Sequence, residues 1–110
     1  MTTTYKVLAQ INPAATTPTT LYTVPALTSA VVSTLVICNQ VATPCLYRVA
    51  VRPAGASLAA QHYLCYDTVL NQNDSVFLTV GITIATTDVV TVYASTATVS
   101  FSLFGCEVAA

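Results

Sequence analysis

Charged side chains are scarce in this chain of 110 residues, which has three Lys and Arg, four Asp and Glu, and one His. The 6% charged fraction lies far below the roughly 25% of an average soluble domain. Disorder is excluded, because disordered chains are rich in charge and poor in apolar residues, whereas 55% of this chain is hydrophobic. Nucleic-acid binding is excluded too, since it needs clustered cations that displace counterions from phosphate.

Long apolar runs are also missing. The longest candidate covers residues 30–38 and is interrupted by Ser33 and Thr34, whereas a spanning helix needs about 20 apolar residues. The first residues, MTTTYK, lack the basic start and apolar core of a signal peptide. We therefore expect no membrane partner and a chain that folds in the cytoplasm of the cell that makes it.

Short β-strands are the dominant pattern, because the apolar residues are rich in Val, Thr is abundant, and both are β-branched. Tyr47, Val49 and Val51 alternate with Arg48 and Arg52, as a half-buried strand requires. Pro, Gly, Asn and Asp separate the segments, and no stretch of helical period reaches about ten residues. The predicted strands cover residues 5–11, 21–24, 30–38, 46–52, 63–70, 76–84 with a bend at Gly81, 89–93 and 99–103.

This spacing predicts one domain over residues 1–110, folded as an antiparallel β-sandwich of about eight strands with jelly-roll or immunoglobulin-like topology. The expected core includes Tyr47, Val49, Val51, Val99, Phe101 and Leu103. In the first strand, the alternation places Tyr5, Val7, Ala9 and Ile11 on one face.

Two Thr-rich segments lack apolar periodicity. Residues 1–4 are expected to form a flexible N-terminal arm, and residues 14–20 a Thr/Pro-rich linker. Such segments cannot hold themselves against a core, so we expect both to contact neighbouring molecules in an assembly.

Catalytic material is sparse. His62 is the only His, and the nucleophile motif G-x-S-x-G is absent. Asp74 and Asp88 lie in polar turns, where an Asp side chain bonds its own backbone, and nothing pairs Asp67 or Glu107 as an acid and a base. The sequence predicts no enzyme, no catalytic residue, no cofactor and no metal site.

Four cysteines leave their chemistry open. Cys38, Cys45, Cys65 and Cys106 contain no C-x-x-C pair, and one His is too few for a typical zinc site. Cys38 and Cys45 flank a turn and would face each other across a hairpin, which leaves Cys65 and Cys106 as the second pair. Buried free thiols and disulfides between subunits are the alternatives.

Arg48 and Arg52 lie on one face of a strand and are candidate interface residues. Either would pair with a partner's carboxylate or with Glu107. The alternative is a solvated strand face.

Several phrases along the chain resemble a family of small all-β virion proteins of tailed bacteriophages, cyanophages among them. The phrases are YKVLAQ at 5–10, TLYTVPA at 20–26, AVVST at 30–34, ICN at 37–39, YRVAVRPAG at 47–55, QHY at 61–63, YD at 66–67, GITI at 81–84, TDVVTVYAS at 87–95 and SFSLFGCE at 100–107. The resemblance runs over nearly the whole chain and implies no catalytic or cofactor residues.

The resemblance implies a structural role in the virion. One expectation is a capsid cement or decoration protein that bridges capsid subunits, with the major capsid protein and its own copies as partners. A dimer or trimer is expected, because so few charges guard the strand edges. The alternative is a tail fibre, baseplate or tail-tip module that contacts host polysaccharide through exposed aromatics among Tyr22, Tyr47, Tyr63, Tyr66 and Tyr93.

Overall fold

Nine β-strands form where apolar and polar residues alternate, and Pro-containing or Asn/Asp-containing turns separate most of them. The computed structural model describes residues 2–109. Its strands are β1 Thr2–Ile11, β2 Thr19–Thr23, β3 Thr28–Asn39, β4 Cys45–Arg52, β5 Tyr63–Leu70, β6 Ser75–Leu78, β7 Ile82–Ile84, β8 Val89–Ala94 and β9 Val99–Ala109. Two single 3₁₀ turns, Pro53–Gly55 and Ala60–His62, lie between β4 and β5.

The strands pair in two antiparallel sheets. Sheet A has the order β1-β9-β3-β6, with β7 also on β3, and sheet B has the order β2-β8-β4-β5. The first strand pairs with the last and the second with the next to last, while β3 pairs with both β6 and β7 and β4 pairs with β5. This is one long hairpin wrapped into a sandwich, which is the jelly-roll order. Counting β6 and β7 as one strand interrupted at Gly81 gives the expected eight, and the immunoglobulin-like alternative is not formed.

The core fills the space between the sheets. Its most deeply buried large side chains are Phe101, Leu35, Ile37, Leu70, Leu103, Val24, Val32, Val49, Val90, Val92 and Val99. The core predicted from alternation is confirmed, except that Val51 is only half-buried and packs at its margin. Each such side chain contributes about 1.5–3 kcal/mol when fully buried.

Two β-bulges flank the same point of β9. The pairing with β1 shifts between Val7 and Ala9, opposite Phe104 and Leu103, and the pairing with β3 shifts between Val32 and Thr34, opposite Gly105 and Phe104. A bulge places one extra residue on its strand and reverses the alternation there. Ala9 therefore packs against the core, while Tyr5 and Val7 are exposed. The expectation that the four alternating residues of β1 share one face is wrong for this reason.

The expected terminal arm and linker are also corrected. Thr2, Thr3 and Thr4 are not a flexible arm, because they pair with Ala109, Val108 and Glu107 as the start of β1. Met1 lies outside the described residues. The linker is shorter than 14–20, since Thr19 already belongs to β2.

Gly105 is required by the close approach of β3. A Cβ atom on this residue would overlap the carbonyl oxygen of Val31, which is backbone and has little freedom to move. We predict that Gly105→Ala lowers the free energy of unfolding by about 3 kcal/mol, the upper end of typical overpacking costs. Urea denaturation measures this loss.

Gly81→Asn is the matched control. No atom lies within 4 Å of a Cβ at Gly81, and Asn tolerates its φ of +56°. The prediction fails if the two variants unfold at the same urea concentration.

Candidate functional site

The outer face of sheet A is a continuous uncharged surface. Directly paired residues share a face, and the pairing register gives three rows that point away from the buried Val32, Leu35 and Ile37. The rows are Tyr5–Cys106–Val31–Thr83, Val7–Phe104–Thr34 and Gln10–Ser102–Val36–Phe77. We call this surface, defined by these rows, the uncharged face.

The uncharged face exposes large side chains at both of its edges. Tyr5 on β1 is 83% exposed and Phe77 on β6 is 69% exposed. Smaller side chains such as Thr34 and Ser102 lie between them. All seven charged residues of the chain lie elsewhere in the described structure. A partner that covers this face therefore displaces water without desolvating an ion.

Sheet B differs because its outer side carries charge and is partly covered. Arg52 extends to the segment after β4, where its Nη1 donates to the carbonyl oxygens of Gly55 at 3.4 Å and Ala56 at 3.0 Å. Its Nε donates to Thr91 Oγ1 at 3.0 Å. Arg52 is thus engaged within its own chain.

Arg48 is held in a cluster of four side chains. Its Nε and Nη2 donate to Asp67 Oδ1 at 2.6 Å and Oδ2 at 3.2 Å. Its guanidinium also lies between two rings, 4.2 Å from the centroid of Tyr66 and 4.1 Å from that of Tyr93. The bond to Asp67 raises the pKa of Arg48. The cluster connects three neighbouring strands, the edge strand β5, β4 and β8. Arg48 is therefore already paired with an acid of its own chain.

A shallow apolar depression adjoins this cluster. It has a volume of about 500 Å³ and is lined by Leu58, Ala59, Ala60, Tyr63 and Tyr66. The rings of Tyr63 and Tyr66 meet edge to face, with centroids 4.8 Å apart, a favourable aromatic arrangement. Tyr66 remains 58% exposed.

Glu107 joins the two sheets. Its Oε2 accepts a 2.5 Å hydrogen bond from the hydroxyl of the buried Tyr22 on β2, and its Oε1 accepts a 3.1 Å bond from Lys6 Nζ. The Tyr22 bond, followed by Lys6, lowers the pKa of Glu107 against the opposing effect of burial. Burial, followed by the Glu107 bond and charge, raises the pKa of Tyr22. Glu107 is therefore not the partner of Arg48 or Arg52.

The four thiols are free in the structure. Cys38 and Cys45 do not face each other across a hairpin, because the chain passes from sheet A to sheet B between them. Cys45 is buried, and burial raises the pKa of both its thiol and that of Cys65. Cys106 lies on the uncharged face. The pairing of Cys38 with Cys45 across a hairpin is thus wrong.

The remaining candidate catalytic groups bond local backbone. Asp88 accepts from the amides of Ala54 and Ala85, both at 2.8 Å. Asp74 accepts from the Ser75 amide at 2.9 Å, and His62 Nδ1 accepts from the Ala59 amide at 3.1 Å. Within residues 2–109, no group of three His, Cys, Asp or Glu side chains is placed to hold a metal ion.

Comparisons with known proteins assign no family. No protein-family model matches the chain, and no curated protein matches it. In the described part of the chain, no helix has the length and apolar character to cross a membrane.

Sequence reasoning missed Asp67 as the partner of Arg48 and Phe77 as an exposed aromatic of the uncharged face. The YD pair at 66–67 was a signal for the first, since an ion-pairing residue next to an aromatic is suited to hold an arginine. No local signal identified Phe77, because its exposure depends on β6 lying at a sheet edge.

The Tyr22–Glu107 bond gives a pH-dependent prediction. Because the pKa of Glu107 is lowered, its contribution is complete above about pH 4.5 and is lost as the pH falls through the folded-state pKa. Because the pKa of Tyr22 is raised, its contribution is complete below about pH 10 and is lost as the pH rises through the folded-state pKa. We predict that Tyr22→Phe lowers the free energy of unfolding by about 1–2 kcal/mol between these limits, with a smaller difference at both extremes.

Urea denaturation from below pH 4.5 to above pH 10 tests the prediction. Tyr5→Phe, which changes an exposed tyrosine, is the control and should show no difference. A Tyr22→Phe effect that stays constant from acid to alkaline pH would contradict the assignment.

The Arg48–Asp67 pair predicts a measurable coupling. Lys cannot reproduce the two bonds or the stacking between rings, and Asn tolerates the φ of +49° at Asp67. Arg48→Lys and Asp67→Asn should each cost about 1 kcal/mol, and the double variant should cost less than their sum. Strict additivity in a double-mutant cycle would show that the pair contributes nothing.

Proposed function

We propose that this protein is a non-enzymatic structural component of a bacteriophage virion, and specifically a cement or decoration protein of the head. It would be made in the host cytoplasm and bridge subunits of the major capsid protein as a dimer or trimer. The observation that carries the proposal is the uncharged face, with Tyr5 and Phe77 exposed at its edges.

Physical chemistry favours an assembly role for such a face. A contiguous exposed apolar patch on a monomer often marks a site of interaction with another molecule. Covering it gains hydrophobic free energy without leaving a buried ion unpaired. Repetition over a symmetric lattice turns a modest contact for each copy into strong attachment of the whole layer.

The fold and the sequence phrases add support of a weaker kind. Jelly rolls recur in viral capsid and lectin domains, although a fold alone does not determine a function. The resemblance of the chain to small virion proteins of tailed phages points in the same direction.

A second candidate is a tail fibre, baseplate or tail-tip module that contacts host polysaccharide. The depression beside Tyr63 and Tyr66 favours it, since exposed tyrosines present both an apolar ring and a hydroxyl. An electron-microscopy map of the particle separates the two candidates, because density on the capsid surface supports the first and density on the tail supports the second.

A charge placed on the uncharged face should abolish attachment. We predict that Phe77→Asp binds phage heads lacking the protein at least about tenfold more weakly than wild type, because the carboxylate must be desolvated in the contact. Cosedimentation of purified protein with such heads measures binding.

Val69→Asp is the matched control. Val69 is 60% exposed on β5 of the other sheet and should bind as wild type does. Circular dichroism checks that both variants are folded. Equal binding by Phe77→Asp and wild type would refute the role of the face.

A further inference from the structure

The two sheets have four open edges, and three of these edges are protected. Unpaired strand edges invite another strand, and proteins block them with Pro, bulges, charge or short length. β2 has only five residues and lies between Pro18 and Pro25. β6 and β7 have four and three residues and are separated at Gly81. β5 is irregular, because its pairing with β4 shifts twice and Asp67 has a φ of +49°, so it offers no regular edge to another strand.

β1 is the exception. It has ten residues and pairs with β9 alone. Thr2 to Val7 are all exposed, their register with β9 is unbroken, and the bulge at Leu8 lies beyond them. This stretch contains neither Pro nor Gly.

The single charge in this stretch does not block the edge. Lys6 is bonded through its ammonium group to Glu107 of its own chain at 3.1 Å. The ammonium is therefore held over β9 instead of projecting past the free side of β1. Lysines protect an edge by projecting from it, so this one gives little protection.

We propose that residues 2–7 of β1 pair antiparallel with the same residues of a second copy, about a two-fold axis, so that two sheets A become one. A second copy fits because the segment is uncharged apart from the internally paired Lys6, and self-pairing brings no free like charges together. Thr4 lies at the centre of the pairing, across from Thr4 of the second copy, and Thr–Thr is a favourable cross-strand combination. The proposal deepens the homo-oligomer named in the proposed function, and it concerns contacts between copies and not contacts with the capsid.

Self-pairing also accounts for the exposure of Tyr5 and Val7. Both side chains lie on the uncharged face at its β1 edge. In the dimer Tyr5 lies close to its equivalent from the second copy, Val7 lies near the start of that copy's β1, and the two uncharged faces become one continuous surface. The interface is isologous, which closes as a dimer and leaves no further β1 edge free.

Charge variants at Thr4 test the pairing. Thr4 is exposed near the middle of the segment, so a charge there lies close to its own symmetry mate. Sedimentation equilibrium of the purified full chain at micromolar concentration should show a dimer for wild type. Thr4→Lys and Thr4→Glu alone should each weaken the dimer at least about tenfold through like-charge repulsion, and their equimolar mixture should restore it.

Thr68→Lys is the matched control, because it places the same change at an exposed position of the edge strand β5. It should dimerise as wild type does. Hydrogen exchange should show amides within residues 2–7 slowed in wild type at high concentration and not in Thr4→Lys. A monomeric wild type, a dimer unaffected by either Thr4 variant, or a mixture that stays monomeric would overturn the proposal.

The test of dimer formation is independent of the cosedimentation assay for head binding. A β1 dimer that fails to bind phage heads refutes the cement role and leaves the pairing intact. A wild-type monomer that binds heads refutes the pairing and leaves the cement role intact.

Discussion

The ladder that β9 forms with β1 on one side and β3 on the other is the interaction on which the rest of the structure depends. β9 brings Phe101 and Leu103 to the core, places Gly105 against the backbone of β3, and presents Glu107 to Tyr22 of the opposite sheet. Because β1 and β9 are the first and last strands, the sandwich closes only when the ends of the domain meet. Loop-closure entropy must be overcome before this pairing contributes, so cooperative folding here relies on contacts distant in sequence.

Scarce charge shapes the surface as much as the ladder shapes the interior. Lys6 and Glu107 bond each other, Arg48 bonds Asp67, and Arg52 bonds carbonyl groups. Asp74 accepts a bond from the amide of Ser75 at the start of β6, and Asp88 from the amide of Ala54 in a 3₁₀ turn. Nearly every ionic group therefore positions its own chain, and the described outer side of sheet A keeps only neutral side chains. Arg48, Arg52 and Glu107 were sensible interface candidates by residue type, but the structure gives each a partner nearby, and the surfaces left for a partner are the neutral ones.

Alternation along the chain was sufficient to predict the sandwich, all of its strands except the division between β6 and β7, and most of its core, because a half-buried strand reveals its period locally, as in Tyr47 to Val51. The bulges at Leu8 and Ser33 were not predictable in this way, since a bulge exists only relative to a partner strand. That is why Tyr5 and Val7 were placed on the wrong face. The pairing of Cys38 with Cys45 failed for a related reason, because a turn between two strands does not say whether they share a sheet. Of the candidate site, the sequence predicted the low charge. Among the five tyrosines considered as exposed aromatics, only Tyr66 is exposed, whereas Tyr22 and Tyr47 are buried. The edge position of Phe77 required the topology.

The proposed contacts of this protein meet at β1. Tyr5 and Val7 belong both to the edge that would pair with a second copy and to the face that would meet the capsid. Joining two copies through β1 doubles the uncharged face and holds its two halves in a fixed arrangement. Once one half has bound the capsid, the other half binds as an intramolecular step at a high effective concentration. A rigid dimer also loses less orientational freedom than two separate monomers when it attaches. Self-association and lattice binding would thus reinforce each other, which allows each interface to be small.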